Sequence, residues 1–550
     1  MNIPPNILKR LQEARALAEN RRFTEAEQIY RALLSAAGTE ELVYRELFHF
    51  YVRQENAAQA VSCLEEMARH FSGEPEWWLQ LAQYAQSCGD DDKAILGYRK
   101  FLEQVTDRPN TVYNFAYLLK QVGKLEEALS WYQKALDMGV SGKEEVYTNI
   151  GVILSELRRE PEARASYEKA LQIRQDYLPA LLNLAALSEE SGDRDSALEQ
   201  YSKVLAIDSE NVLALSRLAH LSTVDSSSDP LIEKISSLLA KNGLSRADQE
   251  ELGFALGKLL DGCGEYGQAF TNFAKANNLG KSRFKPYSKG AQSRLVDKLI
   301  QAFSPETSDS GSSIAGADPV FICGMFRSGS TLVEQVLSGH SAITSGGELD
   351  FFPRLIHELG GGYPESLGQL DAEFFERAGA DYRDFLSRRF DPKSIVTDKR
   401  PDNFLHVGLI KRALPSARFI WTRRGLLDNC LSIYFQQLGG GMNYSTDLEA
   451  IGHYFVQQER LMRHWQCLFP QSICEVEYET LVVDPEKETR RLLNFLGLNW
   501  ESGCLNFQER KNYVKTASVW QVRKGMHTGS VKRYQNYRSQ LSALGQFLQV

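Results

Sequence analysis

Long apolar runs are missing from this sequence. No stretch of about 18 uncharged apolar residues occurs, the length a helix needs to cross a bilayer, so no membrane span is expected. Cysteine is sparse and unpatterned. Eight are scattered over 550 residues, with no CxxC pair and no His/Cys cluster. That argues against a disulfide framework or a structural zinc and for reduced, mostly buried thiols in a cytoplasmic protein. A basic excess is missing as well: the net charge is −8, which speaks against wholesale nucleic-acid binding. The N-terminal MNIPPNILKRLQEARAL is amphipathic and charged, unlike a signal peptide. What is present is ordinary, 43% hydrophobic and 24% charged residues. The chain is too long for one core, so two or more domains are expected.

The first half repeats. A small residue precedes an aromatic by four positions at Ala26/Tyr30, Ala94/Tyr98, Ala128/Tyr132, Ala163/Tyr167 and Ala197/Tyr201, with Ala60/Leu64 in the same frame. The alanines are separated by 34, 34, 34, 35 and 34 residues, and Ala269/Phe273 adds a later unit. Residues four apart share a helix face. The alanine lets two antiparallel helices approach, and the aromatic fills the gap beside it. This period and pattern resemble the tetratricopeptide repeat. Gly123 and Gly192 are expected in the turns between paired helices. The polar stretch Ser222 to Asp229, STVDSSSD, interrupts the frame. The array is read over residues 6–283, and such stacks present an extended binding surface. Recruitment of a substrate or partner is one reading of it, and scaffolding or self-association is the other.

Residues 284–318 read as a connecting segment, ending in the Ser-, Gly- and Asp-rich SPETSDSGSSIAGADP. From Pro319 the pattern changes. PVFIC, SIVTD, ARFIWT and SICEVE are short apolar runs separated by helical patterns. That alternation predicts an α/β domain with a largely parallel sheet over residues 319–550. Its ligands are expected at the carboxyl ends of the strands. The predicted whole is an α-helical repeat superhelix followed by a P-loop-like α/β domain.

Gly324 to Thr331, GMFRSGST, has the spacing of a triphosphate-binding loop, but Ser330 stands where the lysine belongs. Turn amides and a helix N-terminus still form an anion cradle. The lysine that reaches the outer phosphates of a triphosphate is absent. Arg327 inside the loop and the hydroxyls of Ser330 and Thr331 suit a shorter phosphate-type anion.

The stretch GMFRSGSTLVEQVLSGH resembles the 5′-phosphosulfate loop of sulfotransferases, usually G-x-P-R-S-G-T-T/S, with Phe326 in place of Pro and Ser330 in place of Thr. In FIWTRRGLLDNCLSIYFQQ, Arg424 and Ser432 stand eight residues apart, as do the arginine and serine that hold the 3′-phosphate in that family. Asp428 is kept from the surrounding motif, and Arg423 is an alternative to Arg424. Further stretches resemble the tyrosylprotein sulfotransferase branch and its repeat-containing bacterial relatives. The resemblance covers about Pro319 to Tyr537, and that of the repeats about Asn6 to Lys281.

The resemblance implies a donor, 3′-phosphoadenosine 5′-phosphosulfate, leaving adenosine 3′,5′-bisphosphate, with no metal. It implies donor binding by Arg327, Ser328, Gly329, Ser330, Thr331, Arg424, Ser432, Tyr478, Ser518 and Arg533, with Lys532 an alternative to Arg533. Glu348 is implied as the general base, and Lys399 and Arg327 as cations at the transferring group. Gln436 stands where that branch has a basic residue. Sulfuryl transfer passes through a loose in-line transition state, so it needs positioned donors, cations and a base. The acceptor is a hydroxyl, on a peptide tyrosine, a sugar or a small alcohol, and the repeats favour a protein or peptide. No nucleic acid and no membrane are expected as partners, and a homo-oligomer stays open. His340 and Asp402 are further candidates at the site. His357, His406 and His453 lack a ligand spacing and read as surface or packing residues. Two rivals remain: a P-loop nucleotide kinase or NTPase, and a non-catalytic adaptor.

Overall fold

The computed structural model describes residues 5–37, 41–303, 319–360, 362–439, 441–507 and 526–548. The chain divides into two compact units, Met1–Leu187 and Ser188–Val550.

The first unit consists of paired antiparallel helices. All its alanine–aromatic pairs, and Ala60/Leu64, are buried to within 2% exposure. A second regularity marks the same frame. The residue that turns each helix pair has positive φ: Arg21, Glu55, Gly89, Gly123 and Arg158, followed by Gly192 at the start of the second unit. Glycine adopts this left-handed backbone freely. The two arginines and the glutamate adopt it because the geometry of the helix pair requires a left-handed residue there. Asp90 caps the helix Asp91–Gln104 through its side chain.

The second unit contains the remaining repeat-like helices and the α/β body. Five parallel strands are β1 (Val320–Gly324), β2 (Ile343–Ser345), β3 (Ile395–Lys399), β4 (Arg418–Arg423) and β5 (Ile473–Glu477), in the order β2-β3-β1-β4-β5. Both faces of the sheet are covered, so its strands are apolar throughout. Phe321, Cys323, Phe419 and Trp421 join one core cluster, and Val320, Ile322 and Ile420 join the other. This is the two-residue alternation of a strand between two helical layers. Part of the connecting segment belongs to the first of these clusters. It forms the helix Lys289–Ala302, and Val296, Leu299 and Phe303 are buried there. Phe303 packs edge-on to Trp465 at 5.3 Å. Residues 304–318 lie outside the described set.

A third cluster in this unit joins repeat helices to the body. Phe273 stacks on Phe435 at 3.9 Å, and the Asn277 amide donates to the Tyr434 carbonyl at 2.8 Å. All eight cysteines are free, and five of them are buried. Among the described residues no helix is long and apolar enough to cross a membrane.

Candidate active site

Most of the candidate residues that fall among the described ones gather where the strands end. Gly324 closes β1 with φ of +150°, and a Cβ there would stand 2.2 Å from the Thr422 carbonyl. Only glycine lets the loop leave the strand so close to β4. Arg327 is held in the left-handed region at φ +64°, a conformation costing roughly 1–2 kcal/mol for a residue with a Cβ. Gly329, at φ +99°, N-caps the helix Ser330–Ser338. Among the described residues no side chain caps that helix, so its first amides face the loop as a partial positive charge. Ser330 and Thr331 open the helix at 5% and 7% exposure.

Arg327 is 8% exposed, and its Nε donates to Ser432 Oγ at 3.2 Å. Burial, and then the positive charge of Arg424, push its guanidinium down to about 10. Arg424 follows β4. Its Nη1 donates to the Arg327 carbonyl at 3.3 Å and its Nη2 to the Ser530 carbonyl at 2.7 Å. Its guanidinium lies over the Tyr478 ring at 4.7 Å. Among the described residues its buried Nε has no hydrogen-bond partner. Burial lowers this group too. Two guanidiniums, Arg327 buried and Arg424 partly buried, each depressed by lost solvent, form a site in which an anion would be stabilised strongly.

The neighbouring arginine differs. Arg423 binds both oxygens of Glu459, at 2.9 and 2.8 Å, and Glu475 at 2.5 Å. Burial pulls its guanidinium down, but the two carboxylates outweigh that and raise it. Arg423 is thus committed to the fold, and of the two it is Arg424 that faces the loop.

Tyr478 begins the helix after β5 and packs on Gly329, where a Cβ would stand 2.8 Å from its ring. Ser328 is turned inward instead. Its Oγ donates to the Met325 carbonyl at 2.6 Å and meets Thr422 Oγ1 at 2.7 Å. It braces the loop from beneath. Glu348 and Lys399 meet directly: Lys399 Nζ donates to Glu348 Oε1 at 2.6 Å. The lysine is 1% exposed and the carboxylate 38%. Lys399 ends β3 in register with Ile322, two residues before Gly324.

Arg533 stands close enough to Arg327 and Arg424 to affect both, yet its guanidinium pairs with Asp261 of the helix Arg246–Gly262. Tyr537 OH donates to the same carboxylate. Asp428 accepts the backbone amides of Lys532 at 2.6 Å and Tyr534 at 2.8 Å, and so pins this segment. Ser518 lies outside the described residues. His340 is used elsewhere, between the Asn499 carbonyl at 3.0 Å and the Ala342 amide at 3.0 Å. It sits beyond the far end of the loop helix. Asp402 pairs with Arg400 at 2.8 Å. His453 bonds to Tyr287 OH at 2.8 Å and is a packing residue.

Sequence reasoning missed Asp261, Glu334 and Asp398. Glu334 carried a signal: a lone acid within the apolar helix TLVEQVL, 3% exposed. Asp398 is 2% exposed beside Lys399, and burial raises its carboxyl to about 7 even though Tyr382 OH and the Asn403 amide donate to it.

Residues 319–502 match the sulfotransferase family, and residues 107–176 match the tetratricopeptide repeat. The chain therefore carries tetratricopeptide repeats followed by a parallel-sheet α/β domain of the sulfotransferase family. Its relatives include an uncharacterized protein of Aquifex aeolicus (strain VF5), 34% identical over 312 residues, covering 54% of this chain and 41% of that protein. A putative protein-tyrosine sulfotransferase of Caenorhabditis briggsae is 25% identical over 194 residues, 34% of this chain and 69% of that one. Protein-tyrosine sulfotransferase 1 of Danio rerio is 26% identical over 200 residues, 34% of this chain and 56% of that one. The chain thus spans well under half of the first relative and just over half of the last. Among solved structures, the sulfotransferase domain of the Synechococcus PCC 7002 olefin synthase aligns over 41% of this chain and 90% of its own, at 19% identity and a TM-score of 0.32. A tetratricopeptide repeat protein from Parabacteroides merdae ATCC 43184 aligns over 43% and 93%, at 19% identity and a TM-score of 0.33.

Proposed function

We propose that the protein transfers a sulfuryl group from 3′-phosphoadenosine 5′-phosphosulfate to a hydroxyl acceptor. The observation that carries this reading is the pair of solvent-depleted guanidiniums, buried Arg327 and partly buried Arg424, at a loop that has no triphosphate lysine. The depressed arginines and the orphan Nε of Arg424 fit a donor bearing two separate anionic groups. When bound, that donor supplies the transferable sulfuryl group and a fixed leaving phosphate.

The roles follow from chemistry. Arg327, Gly329, Ser330 and Thr331 hold the 5′ side, with the helix amides as donors. Ser328 shapes the loop. Arg424 and Ser432 hold the 3′-phosphate, and Tyr478 flanks the nucleotide. Arg533 adds positive charge at the edge, and Ser518 is proposed to contact the donor. Glu348, the more exposed member of its pair, takes the acceptor proton as the bond forms. Lys399 orients that carboxylate and offers an ammonium where negative charge develops.

The acceptor we propose is a hydroxyl on a protein or peptide, tyrosine first, in keeping with the named relatives. The repeats over residues 6–283 would recruit it, joined through 284–318 to the transferase domain at 319–550. A cavity of about 410 Å³ in the first unit, lined by Gln83, Gln86, Asn114 and Tyr117 among others, offers amides that pair with a peptide backbone. The proposed location is the cytoplasm, in keeping with eight scattered cysteines, none of them paired.

Calorimetric titration of the full chain with adenosine 3′,5′-bisphosphate, against ATP with magnesium, tests the donor reading. The expected result is bisphosphate binding at least about 100-fold tighter, the equivalent of about 2.7 kcal/mol. A preference for ATP would return the loop to the kinase reading, and binding of neither to the adaptor reading.

A further inference from the structure

Glu334 lies one helical turn beyond Ser330, among Leu332, Val333, Val336 and Leu337, all buried. A carboxylate in such a place is costly unless it is hydrogen-bonded. Its Oε1 accepts from the Gly347 amide at 3.0 Å and from Thr397 Oγ1 at 2.9 Å. These partners lie on two different elements. Gly347 directly precedes Glu348, and Thr397 is two residues before Lys399. The link is closed by backbone bonds: the Gly346 amide donates to the Thr397 carbonyl at 3.0 Å, and the Lys399 amide donates to the Gly347 carbonyl at 2.8 Å. Gly347 itself is left-handed at φ +68°, so the chain turns out of the β2–β3 pairing just before Glu348. One oxygen on the donor-loop helix therefore ties down both the turn of the proposed base and the strand of the proposed cation.

We propose that Glu334 is a positioning residue for the Glu348–Lys399 pair, setting where that pair stands relative to the donor loop. This rests on the transferase reading above. Glu334 touches neither the donor nor the acceptor in this account. Its effect is exerted through the 347–348 turn. A displacement of about 1 Å in reacting groups costs on the order of 100-fold in rate, so the expected consequence is large in turnover and small in donor affinity.

The test uses the full chain and two variants, Glu334→Ala and Glu334→Gln. Glutamine keeps a side-chain oxygen that can accept both bonds, whereas alanine keeps none. Turnover is measured with labelled 3′-phosphoadenosine 5′-phosphosulfate, with p-nitrophenol and a tyrosine-bearing peptide as acceptors. Bisphosphate affinity and hydrogen exchange at the Gly347 amide are measured alongside. The expected result is a kcat lowered roughly 10- to 100-fold in Glu334→Ala and restored to within about threefold in Glu334→Gln. Bisphosphate affinity stays within about twofold in both, and Gly347 exchange is accelerated only in the alanine variant. Unchanged kcat in Glu334→Ala overturns the proposal. So does a glutamine variant as slow as the alanine one, or a parallel loss of kcat and bisphosphate affinity. If the wild-type chain binds the bisphosphate but transfers nothing to either acceptor, the transfer reading falls, and slow Gly347 exchange in Glu334→Ala would show separately that the clamp itself is wrong.

Discussion

Tyr132 and Phe273 occupy the same place in the repeat frame, and both are fully buried. Tyr132 packs within the first unit, edge-on to Tyr113 at 5.6 Å. Phe273 stacks instead on Phe435, directly after the helix Leu426–Tyr434 that carries Ser432. One periodic signal therefore serves two ends. In the first unit it joins repeat to repeat. In the second it joins a repeat to the floor of the candidate donor site, where Asp261, Arg533 and Tyr537 make a further bond between the two layers. The alanine–aromatic step reports how two helices approach, and it does not say what lies on their other side.

The largest effect is expected where the frame meets the site. Phe273→Ala removes a stacked ring from the core and should destabilise the second unit by about 3–5 kcal/mol. It should also loosen Ser432 and weaken bisphosphate binding. Tyr132→Ala should cost as much in the first unit and leave the titration unchanged. Hydrogen exchange on peptides from each unit, with the titration in parallel, checks both.

The units should also separate by pH. Burial raises Asp398 to about 7 from its ordinary 3.8. The folded chain therefore holds a proton that the unfolded chain releases. That contribution is complete below about pH 4 and is lost as the pH rises through about 7, with a ceiling of about 4 kcal/mol. Asp398→Asn should remove this slope, and Asn403, whose buried Oδ1 has no partner among the described residues, can turn to accept from the new amide. Second-unit peptides of the variant should gain protection over wild type at pH 8 and not at pH 4, while first-unit peptides are unmoved.

Smaller effects sharpen the same contrast. The buried hydroxyl of Tyr132 has no partner among the described residues, so Tyr132→Phe should be neutral or stabilise by about 1 kcal/mol. Arg158 and Arg327 both hold left-handed backbone, at φ +60° and +64°. Arg158→Gly should relieve the backbone of its turn and leave bisphosphate binding unchanged. Arg327→Gly should relieve its loop similarly and abolish bisphosphate binding. Thermal unfolding with titration of each variant reads both terms.

Much of this was legible in the sequence. The 34-residue frame fixed the helix pairing, because the period of a repeat is set by geometry that every copy shares. The strand runs gave the parallel sheet, because burial on both faces leaves no polar alternation. The loop and the Arg424–Ser432 spacing pointed to residues that lie together, Arg327 bonding both to Ser432 and to Arg424, because local chain distance on a strand and helix becomes distance in space. Other features were not legible. Arg423 and Arg424 are adjacent and chemically alike, and only the carboxylates of Glu459 and Glu475, from two other elements, tell them apart. The inward turn of Ser328 depends on Thr422, 94 residues away. The pairing of Arg533 with Asp261 spans 272 residues, and no local pattern encodes it.

The adjacent arginines offer the most direct test. Bisphosphate affinity and thermal stability should be measured on the wild-type chain, Arg424→Ala and Arg423→Ala. The account predicts about 100-fold weaker binding in Arg424→Ala with the fold intact. It predicts near-wild-type affinity in Arg423→Ala, with about 1–3 kcal/mol less stability because Glu459 and Glu475 lose a charged partner. Wild-type affinity in Arg424→Ala, or binding lost in a stable Arg423→Ala, would contradict it.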